Sequence, residues 1–186
     1  MPFSPPDCDP GLRAELDEIT SSLVGAAAER QVGAVAALAG RHPHGIRLLQ
    51  EVPATLEGPA RYNCFMFALG LAPPPVAVHV VMHQAPDTYP GADFVRWLVT
   101  TSRLTPAAGP LDGAVVVYFD GEGPRHAGLL DGDDVVSKWG LGHLWRHGCW
   151  EVPRAYGDTV RLFDAPGPGA GAAWFLEFAA RLARGG

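Results

Sequence analysis

Between residues 11 and 39 the apolar positions Leu12, Leu16, Ile19, Leu23, Ala27, Val32, Val35 and Leu38 recur at helical spacing. That pattern predicts one bent helix or two consecutive amphipathic helices, packed as a lid or buttress. Pro43, Gly45, Pro53, Gly58 and Pro59 then break any periodicity, so the stretch up to Arg61, Tyr62 and Asn63 reads as a connection. A short apolar run follows from Cys64 to Leu69, with Asn63 placed as N-cap and Gly70 as the stop, which predicts a helix headed by the cysteine. The Val-rich segment 76–83 after Pro73, Pro74 and Pro75 fits an extended edge and a buried helix equally well. Residues 93–102 predict a helix with Phe94, Trp97 and Leu98 turned inward, and residues 106–113 predict a turn-rich loop.

The second half changes period. Residues 114–119 form a continuous apolar run typical of a buried strand, and a Gly-rich turn separates it from a second strand opened by His126. Asp131, Gly132, Asp133 and Asp134 make the tip of a hairpin whose return strand carries Val135, Val136, Ser137, Lys138 and Trp139. With Gly132 and Asp133 as a two-residue loop, Asp131 faces Asp134, Gly128 faces Ser137 and His126 faces Trp139, which puts Ser137 on the face of His126. A loop one residue longer would bring Lys138 opposite Gly128 instead. Residues 159–163 predict another strand, and residues 172–182 a C-terminal helix after a flexible Pro/Gly linker.

Composition narrows the class. The chain has 186 residues, 47% hydrophobic and 18% charged, enough for one good core and short for two, so a single packed α+β domain is expected. A net charge of −6 with no basic run argues against nucleic acid as partner. The first residues lack both a basic flank and an apolar core, so neither a signal peptide nor a membrane anchor is expected, and no stretch is apolar enough to cross a bilayer. Cys8, Cys64 and Cys149 are odd in number and widely scattered, which fits a reducing, cytoplasmic setting better than a disulfide framework.

Cys64 carries the chemistry. A thiol is a useful nucleophile as thiolate, and a helix N-terminus offers unpaired N–H groups and partial positive charge that favour the anion. The same amides can hold the oxyanion of a tetrahedral intermediate. The base must come from elsewhere in the chain, and His126, at a strand entry, is the candidate. Ser137 is the expected group to accept from the imidazole N–H and fix its tautomer, with His143 as second choice. Lys138 beside Trp139 reads as a surface cation over an aromatic ring.

Asn63-Cys64, Asp112-Gly113-Ala114, His126-Ala127-Gly128 and the strand ending Ser137-Lys138-Trp139 together resemble the NlpC-type branch of papain-like cysteine peptidases and amidases, over residues 61–163. The resemblance implies a papain-like fold: a Cys-bearing helix on a small antiparallel sheet, here with a helical extension over 1–60 and a linker and helix over 164–186. It implies Cys64, His126 and Ser137 as catalytic residues, with Tyr62, Asn63, Lys138, Trp139 and His143 lining the substrate cleft. It implies no cofactor, and as partners a peptide or peptide-like substrate and an immunity or inhibitor protein, with no membrane and no nucleic acid. The sequence departs from the family pattern at the third catalytic position, ordinarily His, Asn, Asp or Gln, and in lacking an acidic residue after Gly113.

The implied reaction is cleavage of a peptide or isopeptide bond through an acyl-enzyme, and an amine acceptor would turn the same site into an acyltransferase. Peptidoglycan peptides, the usual family substrate, would require export by a dedicated secretion system without a cleavable signal peptide. Two other classes compete. One is an inactive relative that keeps the cleft as a binding module. The other is a zinc protein using His143 and His147, spaced i, i+4 as are His79 and His83.

Overall fold

The computed structural model describes residues 9–21, 26–52, 62–140 and 142–185. Cys8, the stretch 53–61 and Leu141 lie outside the described residues. The chain is a mixed α+β domain built on one six-stranded antiparallel sheet, with six helices among the described residues. The strands are β1 (Arg47–Gln50), β2 (Val115–Asp120), β3 (Gly123–Asp131), β4 (Asp134–Lys138), β5 (Leu144–Gly148) and β6 (Thr159–Phe163), in the order β1-β5-β4-β3-β2-β6. The helices are α1 (Pro10–Ser21), α2 (Ala26–Leu38), α3 (Cys64–Ala68), α4 (Val76–Gln84), α5 (Ala92–Thr100) and α6 (Ala170–Gly185).

Strand alternation divides the core into two sides. Val115, Val117 and Ala127 point to one face, where they join Cys64, Phe65 and Met66 of α3, Val78 of α4, Phe94 and Leu98 of α5, and Phe175 of α6. Phe94 is the hub of that side: its ring meets Phe175 edge-on at 5.4 Å and Phe178 at 5.4 Å, which ties α5 to α6. Val116, Tyr118 and Val135 point to the other face, under Val152 and Tyr156 of the segment after β5. There Trp139 and Trp145 stack at 5.1 Å and pack with Leu12 and Leu16 of α1 and Val35 and Leu38 of α2. The N-terminal helices are thus a buttress on the back of the sheet.

The expected hairpin has the register deduced from its two-residue tip: Asp131 pairs with Asp134 and Gly128 with Ser137. The Val-rich segment is helix α4, and the C-terminal helix begins inside the expected linker, at Ala170. Two strands went unforeseen. β1 is four residues long and mostly exposed, so it shows no alternation, and β5 was hidden by the helix-like spacing of His143 and His147.

Gly128 explains why β3 and β4 approach so closely. A Cβ there would stand 2.7 Å from both Val135 Cγ1 and the Val136 carbonyl oxygen. Gly128→Ala should therefore destabilise the fold by about 1–3 kcal/mol, the usual cost of overpacking, measured by urea unfolding. A change within about 0.5 kcal/mol would show that the hairpin has room to spare.

Candidate functional site

The site begins where the β3–β4 ladder stops. Past Gly128 and Ser137 the two strands part, while Lys138 continues to pair with Leu144 of β5. The Leu130 amide donates to Ala114 on the β2 side, so by alternation the Ala127 amide points toward β4, into the opening. The thiol of Cys64 lies by that opening, close enough to the Ala127 amide for its dipole to favour the thiolate.

Asn63 sets the helix that delivers it. Its side-chain oxygen accepts from the Met66 amide at 2.8 Å, and its side-chain amide donates to the Pro90 carbonyl at 3.1 Å, fixing the first turn of α3 against the α4–α5 connection. Cys64 is 6% exposed. Burial pushes its thiol up to about 11, against the opposing pull of the Ala127, Phe65 and Cys64 amides and the Lys138 charge. At neutral pH Cys64 is a thiol.

Lys138 is not the surface cation expected from its place beside Trp139. Its parity puts it on the α3 face, 1% exposed, with Nζ donating to the Gly142 carbonyl and lying 4.7 Å from the centre of the Tyr62 ring. Tyr62 packs against the Cys64 cluster, so the ammonium, this ring and the thiol share one desolvated corner. Trp139 faces the other way, fully buried against Trp145.

His126 shares the face of Tyr118, its partner across β2, which is opposite the α3 layer. This differs from the expected approach to the Cys64 helix: His126 Nε2 has no hydrogen-bond partner, and no hydrogen bond joins imidazole and thiol. The ring is 1% exposed, its Nε2 has no hydrogen-bond partner, and it stacks on Tyr156 at 4.0 Å and 18°. Burial, then the nearby His147, holds it well below the usual imidazole range. His126 is a neutral base at pH 7.

The expected orienting groups serve elsewhere. Ser137 shares the face of His126 but bonds to His147 Nε2 at 2.8 Å. His147 Nδ1 lies 2.8 Å from the Gly148 carbonyl, so Nδ1 carries the proton and Ser137 is the donor to Nε2. His143 Nδ1 accepts from the Val52 amide at 3.0 Å. His143 and His147 flank and lie on a strand rather than a helix, which removes the geometry on which a shared zinc depended. Among the described residues no group of three or more His, Cys, Asp or Glu side chains could hold a metal ion.

Tyr156 stacks on His126, a partnership that no local signal in the sequence indicates. It ends the single-turn 3-10 helix Arg154–Tyr156, held by Gly157, whose φ of 120° and approach to Phe119 O (2.4 Å from a notional Cβ) only glycine allows.

Two buried neutral imidazoles make stability pH-dependent. Burial holds His147 down at about 4, offset in part by Gly148, Glu151 and Asp134, and His126 is also depressed. Above about pH 6.5 both are neutral folded or unfolded, and below it the unfolded chain alone takes up the protons. Stability should therefore fall as pH drops from about 6.5 to about 4, by up to about 1.4 kcal/mol per unit per imidazole, and His147→Asn should flatten part of that slope. Urea unfolding across the window measures it, and a flat profile would mean that the imidazoles reach solvent.

No protein-family model matches the chain, and neither does any curated protein or solved structure, so its chemistry rests on its own residues.

Proposed function

We propose that the chain is a cysteine hydrolase of papain-like, NlpC-type architecture that cleaves a peptide or isopeptide bond through an acyl-enzyme on Cys64, with His126 as general base and acid. The observation that carries this reading is the thiol at a capped helix start, beside the point where the β3–β4 ladder ends and next to the strand segment that bears His126. A sulfur at a capped helix start, beside the end of the β3–β4 ladder, has backbone amides near it before any substrate arrives.

The pair works as neutral thiol and neutral imidazole rather than as a preformed ion pair. Substrate binding brings His126 Nε2, which lacks a partner in the free protein, to the thiol, and catalytic hydrogen bonds commonly tighten at that stage. Nε2 takes the thiol proton as sulfur bonds to the amide carbonyl carbon, and the oxyanion is met by backbone amides at the start of α3 and at Ala127. The imidazolium then gives its proton to the leaving amine, the C–N bond breaks and a thioester remains. Water, deprotonated by the same imidazole, releases the acid and restores the thiol. Peptide-like substrates, with an immunity or inhibitor protein as a partner, belong to this reading.

A second reading, an inactive cleft retained for binding, is favoured by one observation: the thiol stands at about 11, with no hydrogen bond to His126. Mutants separate the two. In a screen of peptide amides, Cys64→Ala, His126→Ala and the double mutant should each lose nearly the same activity, by about three orders of magnitude or more, because nucleophile and base act as a unit. Ser137→Ala should cost less than about tenfold, since its hydroxyl serves His147. Full turnover by His126→Ala, or by Cys64→Ala, would remove the hydrolase assignment.

A further inference from the structure

His126 lies between two tyrosines, and both of them lead back to helix α1. The Tyr118 ring stands 5.4 Å from the imidazole, and the Tyr156 ring stacks on it at 4.0 Å and 18°. Behind Tyr118 stands Trp150, edge-on at 6.2 Å, and the guanidinium of Arg13 lies 5.4 Å from the centre of the Trp150 ring. Tyr156 ends the turn Arg154–Tyr156, and α1 grips the backbone of that turn. Arg13 Nε donates to the Val152 carbonyl at 3.1 Å, its guanidinium also reaches the Pro153 and Gly157 carbonyls, and Asp17 Oδ1 accepts from the Ala155 amide at 2.8 Å. Arg13 and Asp17 stand at i and i+4, so one face of α1 carries both.

We propose that Arg13 and Asp17 are positioning residues for His126: through them α1 is a strap that holds the Tyr156 ring over the imidazole and keeps solvent from it. The inference rests on the reading of His126 as the base of the Cys64 reaction.

Energetics favour a strap over plain packing. Arg13 is 7% exposed, and a buried guanidinium is a costly way to fill space unless its donors are used. Here they go to main-chain carbonyls of the segment 152–157, and hydrogen bonds from a charged donor are the stronger kind. Main-chain acceptors fix the path of the backbone, and with it the place of the Tyr156 ring. The imidazole at the other end is 1% exposed, and its Nε2 has no hydrogen-bond partner. Tyr118 from β2, Tyr156 from the turn and His147 from β5 are the titratable groups around it among the described residues. Solvent would hydrogen-bond that nitrogen and favour its protonation, so how tightly the rings cover it decides its state. Helix α1 thereby gains a chemical purpose beyond thickening the domain.

The test uses the whole protein with carbon-13-labelled histidine, and follows the Cε1 protons of His126 and His147 by NMR as pH is varied. In the wild type the His126 proton should stand upfield, shifted by the stacked phenol, and should not titrate between about pH 5 and about pH 8. Arg13→Ala should lose the upfield shift, and His126 should titrate near the ordinary imidazole value of about 6.5, while His147, bonded to Ser137, stays depressed. Asp17→Ala, which removes the Ala155 contact and leaves Arg13 in place, should move His126 the same way by less, and it carries the test where Arg13→Ala fails to fold. A wild-type His126 proton without the upfield shift overturns the proposal, as does a folded variant in which His126 is unmoved. Release of His126 and His147 together also overturns it, because α1 would then be holding the domain rather than the imidazole. No readout needs turnover, so the expected results in a chain that cleaves no amide would sink the hydrolase reading and leave the strap in place.

Discussion

The candidate site depends on the point where the β3–β4 ladder opens, just past Gly128 and Ser137. At Ala127 the β3–β4 ladder has opened, the N–H points to where β4 would have been, and a buried donor left there would cost as much as a lost hydrogen bond. The Cys64 sulfur lies near that amide, whose dipole favours the thiolate. Sulfur is a weak acceptor in the neutral thiol and a far better one as thiolate, so the arrangement that is merely adequate at rest improves when the thiol loses its proton. Asn63 caps the helix that brings the thiol there, and Gly128 closes the hairpin one residue before it opens.

The two faces of the sheet then take different roles. The α3 face holds the Cys64 thiol, the half-buried Tyr62 ring and the buried ammonium of Lys138, where low polarity strengthens the pull between cation and ring. The opposite face holds His126, Tyr156 and the Ser137–His147 pair under the α1–α2 buttress. Cys64 and His126 thus belong to opposite faces of the sheet at the end of the β3–β4 ladder, and the imidazole stacks on Tyr156.

Local signals carried much of this. The cap at Asn63, the helix at Cys64 and the hairpin register could be read from residue types alone, because each depends on neighbours a few positions away. What escaped depends on partners distant in the chain. Whether His126 meets Cys64 is decided by which face of β3 the helix layer covers, and alternation gives two faces without saying which is which. The burial of Lys138 follows from the same choice, and the roles of Ser137 and Tyr156 depend on His147 and His126, which only the folded sheet brings to them. β5 was missed for a different reason: His143 and His147 suit a helix in spacing, while Trp145 and His147 turned inward are the marks of a strand.

The central claim is that Cys64 forms a covalent acyl intermediate, and the most direct measurement is intact-protein and peptide mass spectrometry after mixing the protein with activated acyl esters and rapidly quenching in acid. An added acyl group is expected on the Cys64 peptide, absent from the Cys149 peptide and formed far more slowly in His126→Ala, where the thiol lacks the base that takes its proton. A protein that stays unmodified at Cys64 while its fold is intact, or that acylates Cys149 equally, would contradict it.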